Sequence, residues 1–287
     1  MYDIIIIGAG PAGLTAAIYA LRANKKVLLL EANKVGGNIL KAHKVDNYPG
    51  LPHVTGKELA DTFFKQVEEL GAEIKYEKAM NIMENNNTYL VQTVDNMYEA
   101  KSVIVATGND RSELKVPGEK EFLGKGVSYC ATCDGNFFKN KKVAVIGGGE
   151  ESIEDALYLA NLCEKVYFIY NRKMDLSKLN KDNIEIIEST VKSINGDIKV
   201  ESITLEDQTI EVSGVFISIA NVPETKYILK NFTLDEQGNV LAEEDVKTNK
   251  KKVYVAGDVR QKRLRQVATA VSDGALAATI AIREMED

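Results

Sequence analysis

Two glycine-rich loops, each set between a short apolar run and a helical pattern, limit what this chain can fold into more than any other feature. Ile4-Ile5-Ile6-Ile7 leads into Gly8-Ala9-Gly10-Pro11-Ala12-Gly13, after which Leu14, Ile18 and Leu21 recur at helical spacing. Lys142-Val143-Ala144-Val145-Ile146 leads into Gly147-Gly148-Gly149-Glu150-Glu151-Ser152, and Ile153, Ala156, Leu157, Leu159 and Ala160 follow in the same way. Apolar runs bounded by glycine read as buried parallel strands. In such a turn the glycines let the backbone approach a pyrophosphate, and the helix start supplies N–H groups and a positive dipole. Pro11 falls near the first helical position, where its missing N–H is tolerated. Residues 26–30 form the second strand, and Glu31 at its end is placed to accept from a ribose hydroxyl. A bare turn without ligand can share this pattern, but here strand, loop, helix, strand and acid occur in order. Glu31 follows Gly8 by 23 residues, and Tyr170 follows Gly147 by the same 23. The second copy therefore carries a tyrosine where the first carries its acid. The expected fold class is α/β, with two Rossmann-like dinucleotide-binding domains related by an internal repeat.

The intervening residues set the expected domain order. A helix over 56–70 presents Leu59, Phe63, Val67 and Leu70 on one face. Residues 72–105 alternate like a β-meander and end in Ser102-Val103-Ile104-Val105-Ala106-Thr107-Gly108. Short strands fill 183–219, and Pro117 and Pro223 mark crossovers. A strand at 252–258 ends in Gly257-Asp258, and a final helix over 266–284 is rich in small residues. The second dinucleotide-type domain, 113–242, is thus expected as an insertion in the first, formed by 1–112 and 243–287.

A net charge of -6 and a pI near 5.3 argue against general nucleic-acid binding. No apolar run reaches membrane-span length, so no membrane partner is expected. Met1-Tyr2-Asp3 leads directly into a strand pattern without a signal-peptide n-region, and a cytoplasmic location is expected. The chain has 3 cysteines, too few for a disulfide framework. Cys130 and Cys133 form a Cys-x-x-Cys, which in the cytosol reads as catalytic or metal-binding. Zinc needs four ligands, and His43, His53 and Cys163 lack ligand spacing, so no metal is expected. Cys163 is expected on the apolar side of a helix as a buried structural cysteine.

In order along the chain stand Gly8 to Gly13, Asn47-Tyr48-Pro49-Gly50, Ala106-Thr107-Gly108, Cys130-Ala131-Thr132-Cys133-Asp134-Gly135, Ala256-Gly257-Asp258-Val259 and Arg265-Gln266-Val267. This set resembles the low-molecular-weight thioredoxin reductases over essentially the whole length. The resemblance implies FAD in the first domain and electron flow from NADPH to flavin, to the cysteine pair and to thioredoxin, in a homodimer. It places Gly8, Gly10, Gly13 and Glu31 at the ADP part of FAD, with Pro11 and Ala12 in the same loop. It places Asn47, Asp258, Arg265, Gln266 and Val267 around the ribityl and isoalloxazine groups. Gly37, Asn38, Ala106, Thr107, Gly108 and Gly257 complete the implied cofactor set, although the family commonly has Gln where Asn38 stands. Cys133 is implied as the sulfur nearer the flavin, Cys130 as the one that attacks thioredoxin, and Asp134 as the acid/base residue. A thiolate freed from a disulfide by two electrons can attack the next disulfide by exchange.

The second glycine loop departs from the family pattern. NADPH-using members carry Gly-x-Gly-x-x-Ala and then His-Arg-Arg-x-x-x-Arg. This chain has Gly147, Gly149 and Ser152, then Tyr170-Asn171-Arg172-Lys173-Met174-Asp175-Leu176, in which only Arg172 matches. A 2′-phosphate calls for guanidinium forks. Glu150 and Glu151 favour the helix dipole but repel a phosphate at the same place. NADH would want an acid where Tyr170 stands. The expectation is therefore a flavin thioredoxin reductase fed by reduced ferredoxin. NADPH at an atypical site is the alternative, and a non-catalytic flavin-bound redox sensor the third reading. Ferredoxins are acidic, so Arg260, Lys262, Arg263 and Arg265, with Lys250, Lys251 and Lys252, are candidates for a docking patch.

Overall fold

The computed structural model describes residues 1–109, 113–219 and 228–286. By contact the chain divides into two compact units, Met1–Asp110 with Val222–Asp287, and Arg111–Asn221. The crossover prolines Pro117 and Pro223 fall differently: Pro117 is described, whereas 223 lies outside the described residues.

In the first unit β1 (Tyr2–Ile7) leads to α1 (Pro11–Arg22) and β2 (Val27–Leu30), followed by α2 (Gly56–Glu69) and β3 (Glu73–Lys75). The strands β4 (Ala79–Asn85), β5 (Thr88–Thr93) and β6 (Met97–Val105) form the expected antiparallel meander. β6 is shared: its first residues pair with β5, and Val103–Val105 pair in parallel with the later strand from 253 to 255. The parallel core β3-β2-β1-β6 is flanked on both faces. Ile4, Ile6, Val27 and Leu29 point to the helices, and Ile5, Ile7, Leu28 and Leu30 to the opposite face. That is why the isoleucine run shows no alternation. α2 starts on a reciprocal cap, in which Thr55 Oγ1 accepts from the Glu58 N–H and Glu58 Oε2 accepts from the Thr55 N–H.

The second unit opens with β7 (Val127–Ser128) and the single turn α3 (Ala131–Asp134). Then come β8 (Lys142–Gly147), α4 (Glu150–Ala160), β9 (Lys165–Tyr170) and β10 (Ile184–Glu188). β11 (Ser193–Gly196), β12 (Val200–Thr204) and β13 (Thr209–Glu211) form a separate antiparallel sheet before β14 (Gly214–Ser218). The parallel sheet runs β10-β9-β8-β14-β7. α4 covers one face through Ile153, Ala156 and Leu159, and Ile194, Val200 and Ile203 of the three-stranded sheet cover the other. The strand–loop–helix repeat is therefore present twice, each copy at the centre of its own parallel sheet.

The chain returns to the first unit with β15 (Val253–Val255) and α5 (Val267–Glu286). α5 packs along α1 so closely that a Cβ on Gly274 would lie 2.1 Å from the Ala12 carbonyl oxygen. Residues 228–242, expected in the inserted domain, group with the first unit instead. Ile228, Phe232 and Val240 pack against Val103, Val253 and Val255, and Val240 bridges to Arg260. Cys163 is buried as expected, but in the turn after α4 rather than on a helix. No described helix is long and apolar enough to cross a membrane.

Candidate active site

The redox pair stands where β7 gives way to α3. Cys130 and Cys133 form a disulfide with Cα atoms 5.3 Å apart. Cys130 caps the turn in extended conformation, and its Sγ accepts from the Cys133 N–H at 3.2 Å. Asp134, the last residue of α3, receives the Ser128 hydroxyl at 2.6 Å. Ser128 was not singled out from sequence, because a serine two residues before a cysteine carries no pattern of its own.

In the first unit the glycine loop folds against two other strand ends. A Cβ at Gly8 (φ 104) would lie 2.4 Å from the Ala106 carbonyl oxygen, and one at Gly13 would lie 1.8 Å from that of Gly8. Only glycine allows either approach. Gly10 is different: its nearest neighbour would be the Gly36 carbonyl oxygen at 4.0 Å, which leaves room above the loop. Pro11 opens α1 as expected. Glu31 is buried, and its carboxylate accepts from the Ala9 N–H at 2.7 Å and the Asn33 N–H at 2.8 Å. The acid thus holds the loop itself, and each oxygen keeps a further lone pair.

Of the remaining cofactor candidates, Ala106, Thr107, Gly37 and Gly257 meet this loop from distant parts of the chain. A Cβ on Gly37 would lie 3.4 Å from the Gly10 Cα, and one on Gly257 (φ 81) would lie 2.9 Å from the Ala12 Cβ. Asn38 Nδ2 donates to the Asn109 carbonyl at 2.7 Å, and Asn47 Nδ2 to Gln266 Oε1 at 2.9 Å. Asn109, absent from the sequence-based set, is buried and also donates through Nδ2 to Asn239 Oδ1 at 3.3 Å. Asp258 lies on the segment between β15 and α5, Val267 opens α5, and Gly108 (φ 68) has open space at its Cβ position.

Two residues of the expected basic docking patch are taken up within the first unit. Asp273 on α5 accepts from Lys262 Nζ at 2.7 Å, Arg260 Nη1 at 3.4 Å and the Gly257 N–H at 3.0 Å. Lys262 is only 8% exposed and Arg260 14%. Lys250 lies over the Phe232 ring. Of the basic residues from Arg260 to Arg265, Arg263 is exposed and the others are partly buried.

The second glycine loop is tied by Ser152, whose buried hydroxyl donates to the Gly149 carbonyl at 2.5 Å. Glu150, at the start of α4, pairs with Lys178 at 2.5 Å, and the ammonium holds its carboxyl below the usual range. Tyr170 donates to Glu188 at 3.3 Å. Arg172 Cδ lies 3.6 Å from the Cβ position of Gly148, so this arginine borders the loop.

The model of the pyridine nucleotide-disulphide oxidoreductases matches residues 2–274. A thioredoxin reductase of Peptoclostridium litorale is 40% identical over all of this chain and 98% of its own length. The crystal structure of thioredoxin reductase from Streptococcus pyogenes, 36% identical, superposes with a TM-score of 0.94, covering 100% of this chain and 98% of that one. The chain belongs to the thioredoxin reductase family. A ferredoxin-flavin thioredoxin reductase from Clostridium acetobutylicum is also 36% identical, with a TM-score of 0.58 and coverage of 99% and 97%. Thioredoxin reductases are flavoproteins, and the first unit suits such a group. Among the described residues, Thr107 Oγ1, Asn109 Oδ1 and Arg265 Nε are buried without a hydrogen-bond partner. Buried polar atoms are ordinarily satisfied. Thr107 and Asn109 flank Gly108, whose Cβ position is open, and Arg265 stands just before α5.

Proposed function

We propose that this chain reduces the disulfide of thioredoxin through FAD held by the first unit and the Cys130–Cys133 pair of the second. The observation that carries the reading is a disulfide on a single helical turn with a carboxylate at its end, in a chain that matches thioredoxin reductases throughout. FAD, when bound, supplies the two electrons that open the disulfide. Gly10 would leave room for its phosphates, and Thr107, Asn109 and Arg265 offer unsatisfied groups that would hold it. Once the pair is open, the Cys130 thiolate attacks the thioredoxin disulfide, and Cys133 resolves the mixed disulfide. Asp134 carries a proton for this exchange. The test is Cys130→Ser, which should abolish thioredoxin reduction while the flavin still accepts electrons; retained activity refutes the assignment. The cytoplasmic location and the homodimer that the resemblance implies belong to the same proposal.

For the electron donor we take NADPH first. The relatives carry the plain name thioredoxin reductase, and the strand–loop–helix of the second unit is intact. Arg172 borders its loop, and Lys178 offsets the charge of Glu150. Reduced ferredoxin is the second reading. It is favoured by Tyr170 at the ribose-acid position and by the Clostridium acetobutylicum relative. Anaerobic titration followed by flavin absorbance decides. Bleaching by micromolar NADPH establishes the first reading, and bleaching by reduced ferredoxin alone establishes the second. A chemically reduced protein that leaves thioredoxin oxidised would point to a redox sensor instead.

A further inference from the structure

The carboxylate beside the redox pair is held by a residue that the exchange reaction itself does not use. Ser128 is 4% exposed at the end of β7. Its Oγ lies 2.6 Å from Asp134 Oδ2, 3.0 Å from the Cys130 nitrogen and 3.3 Å from the Cys130 carbonyl oxygen. A serine hydroxyl has one proton and two lone pairs. The Cys130 N–H occupies one lone pair. The single proton then has two acceptors in reach, and the shorter contact, to an ionised carboxylate, is the stronger. When Asp134 takes up a proton, its new O–H meets the second Ser128 lone pair. The serine proton then turns to the Cys130 carbonyl. Both protonation states of Asp134 are hydrogen-bonded with no backbone movement.

We propose that Ser128 is a positioning residue for proton transfer at the Cys130–Cys133 pair, fixing the Asp134 carboxyl and partnering it whether or not it carries a proton. The inference rests on the reading of Asp134 as proton carrier. Opening the disulfide with two electrons leaves two thiolates. Asp134 delivers a proton to one and recovers it when that sulfur re-forms the disulfide, and the two thiolates of the released thioredoxin take their protons from solvent. The other ionisable groups on elements against this turn are Glu150, Glu151, Glu154, Asp155 and Tyr158 of α4, Lys139 and Lys141 beyond the turn, and Glu119 acting through Tyr129. Tyr158 Cε1 lies 3.2 Å from the Cβ position of Gly135, and Lys141 donates to the Phe137 carbonyl. None of these is altered by a change at Ser128.

The test uses the full chain with its flavin, in the wild type and in Ser128→Ala, Ser128→Thr and Asp134→Asn. Two profiles are recorded against pH: alkylation of the chemically reduced pair by iodoacetamide, and thioredoxin reduction. The limb that Asp134→Asn removes should move upward by about one pH unit in Ser128→Ala, because the carboxylate loses a stabilising donor. Ser128→Thr, which restores a hydroxyl, should return it to the wild-type position. Flavin content and the KM for thioredoxin should stay unchanged. A limb unmoved in Ser128→Ala, or moved equally in Ser128→Thr, overturns the inference. If Ser128→Ala does not fold, Ser128→Gly is read by the same criterion. If Asp134→Asn removes no limb, the proton-carrier reading of Asp134 is what has failed.

Discussion

The Tyr129 phenol donates to the Glu119 carboxylate at 2.6 Å, although Glu119 is 1% exposed. The same carboxylate accepts from the N–H groups of Leu114 at 2.8 Å and Lys115 at 2.6 Å. Among the described residues three donors, and no cation, compensate this buried group. Glutamine keeps one acceptor oxygen and turns an amide toward a donor. Glu119→Gln should destabilise the second unit by about 2–3 kcal/mol, lowering its urea midpoint at constant slope. An unchanged midpoint would contradict the compensation described.

Asp273 anchors two cations and an amide on the segment that enters α5. Removing one partner of a buried ionic cluster leaves the others uncompensated. Asp273→Ala should cost roughly 3–5 kcal/mol. It should also loosen the Gly257–Arg265 segment, so that the purified protein carries less flavin. The flavin-to-protein absorbance ratio and thermal unfolding check both effects, and a variant with full flavin and wild-type unfolding would sink the prediction.

Burial pushes the Cys163 thiol up from its ordinary 9.0 to about 11. Alkylation requires the thiolate. In the reduced native protein near neutral pH, Cys130 and Cys133 should react and Cys163 should react only after denaturation, as mass spectrometry would show. The sign of the linkage is also set. The folded state holds this proton more tightly, so its stabilising contribution is full below pH 9 and is lost as pH rises toward 11. Rapid native alkylation at Cys163 would refute the burial.

Arg172 borders the Gly148 loop, and under the NADPH reading it is the guanidinium available to the 2′-phosphate. Arg172→Ala should then raise the KM for NADPH about tenfold, the loss of one charge-assisted contact. Turnover driven by a chemical reductant should not change. Steady-state kinetics with both donors separates the two, and an unaltered KM removes Arg172 from the site.

The two dinucleotide-type units were legible because Ile4 to Ile7 and Val143 to Ile146 are buried on both faces, and because Gly8 and Gly13 mark approaches no side chain permits. The cysteine turn was legible from its spacing. Other features depend on pairing between remote residues. Arg260 and Lys262 look like a solvated charge run, yet their carboxylate stands on α5, 13 and 11 residues further along. Asn109 has no motif and gains its place from Asn38 and Asn239. Residues 228–242 join the first unit through contacts with β15, which local turn residues do not announce.

The close seat of α5 on α1, with β15 laid against β6, also orders events on the ribosome. The second unit is one continuous stretch, Arg111–Asn221, and all of its strands have emerged before α5 is made. The first unit lacks both β15 and the helix that presses on Ala12 until the residues after the second unit have been made. Domains fold as units during synthesis. The redox turn is therefore assembled first, and the nascent N-terminal segment must wait, half-built, for β15 and α5 to close it.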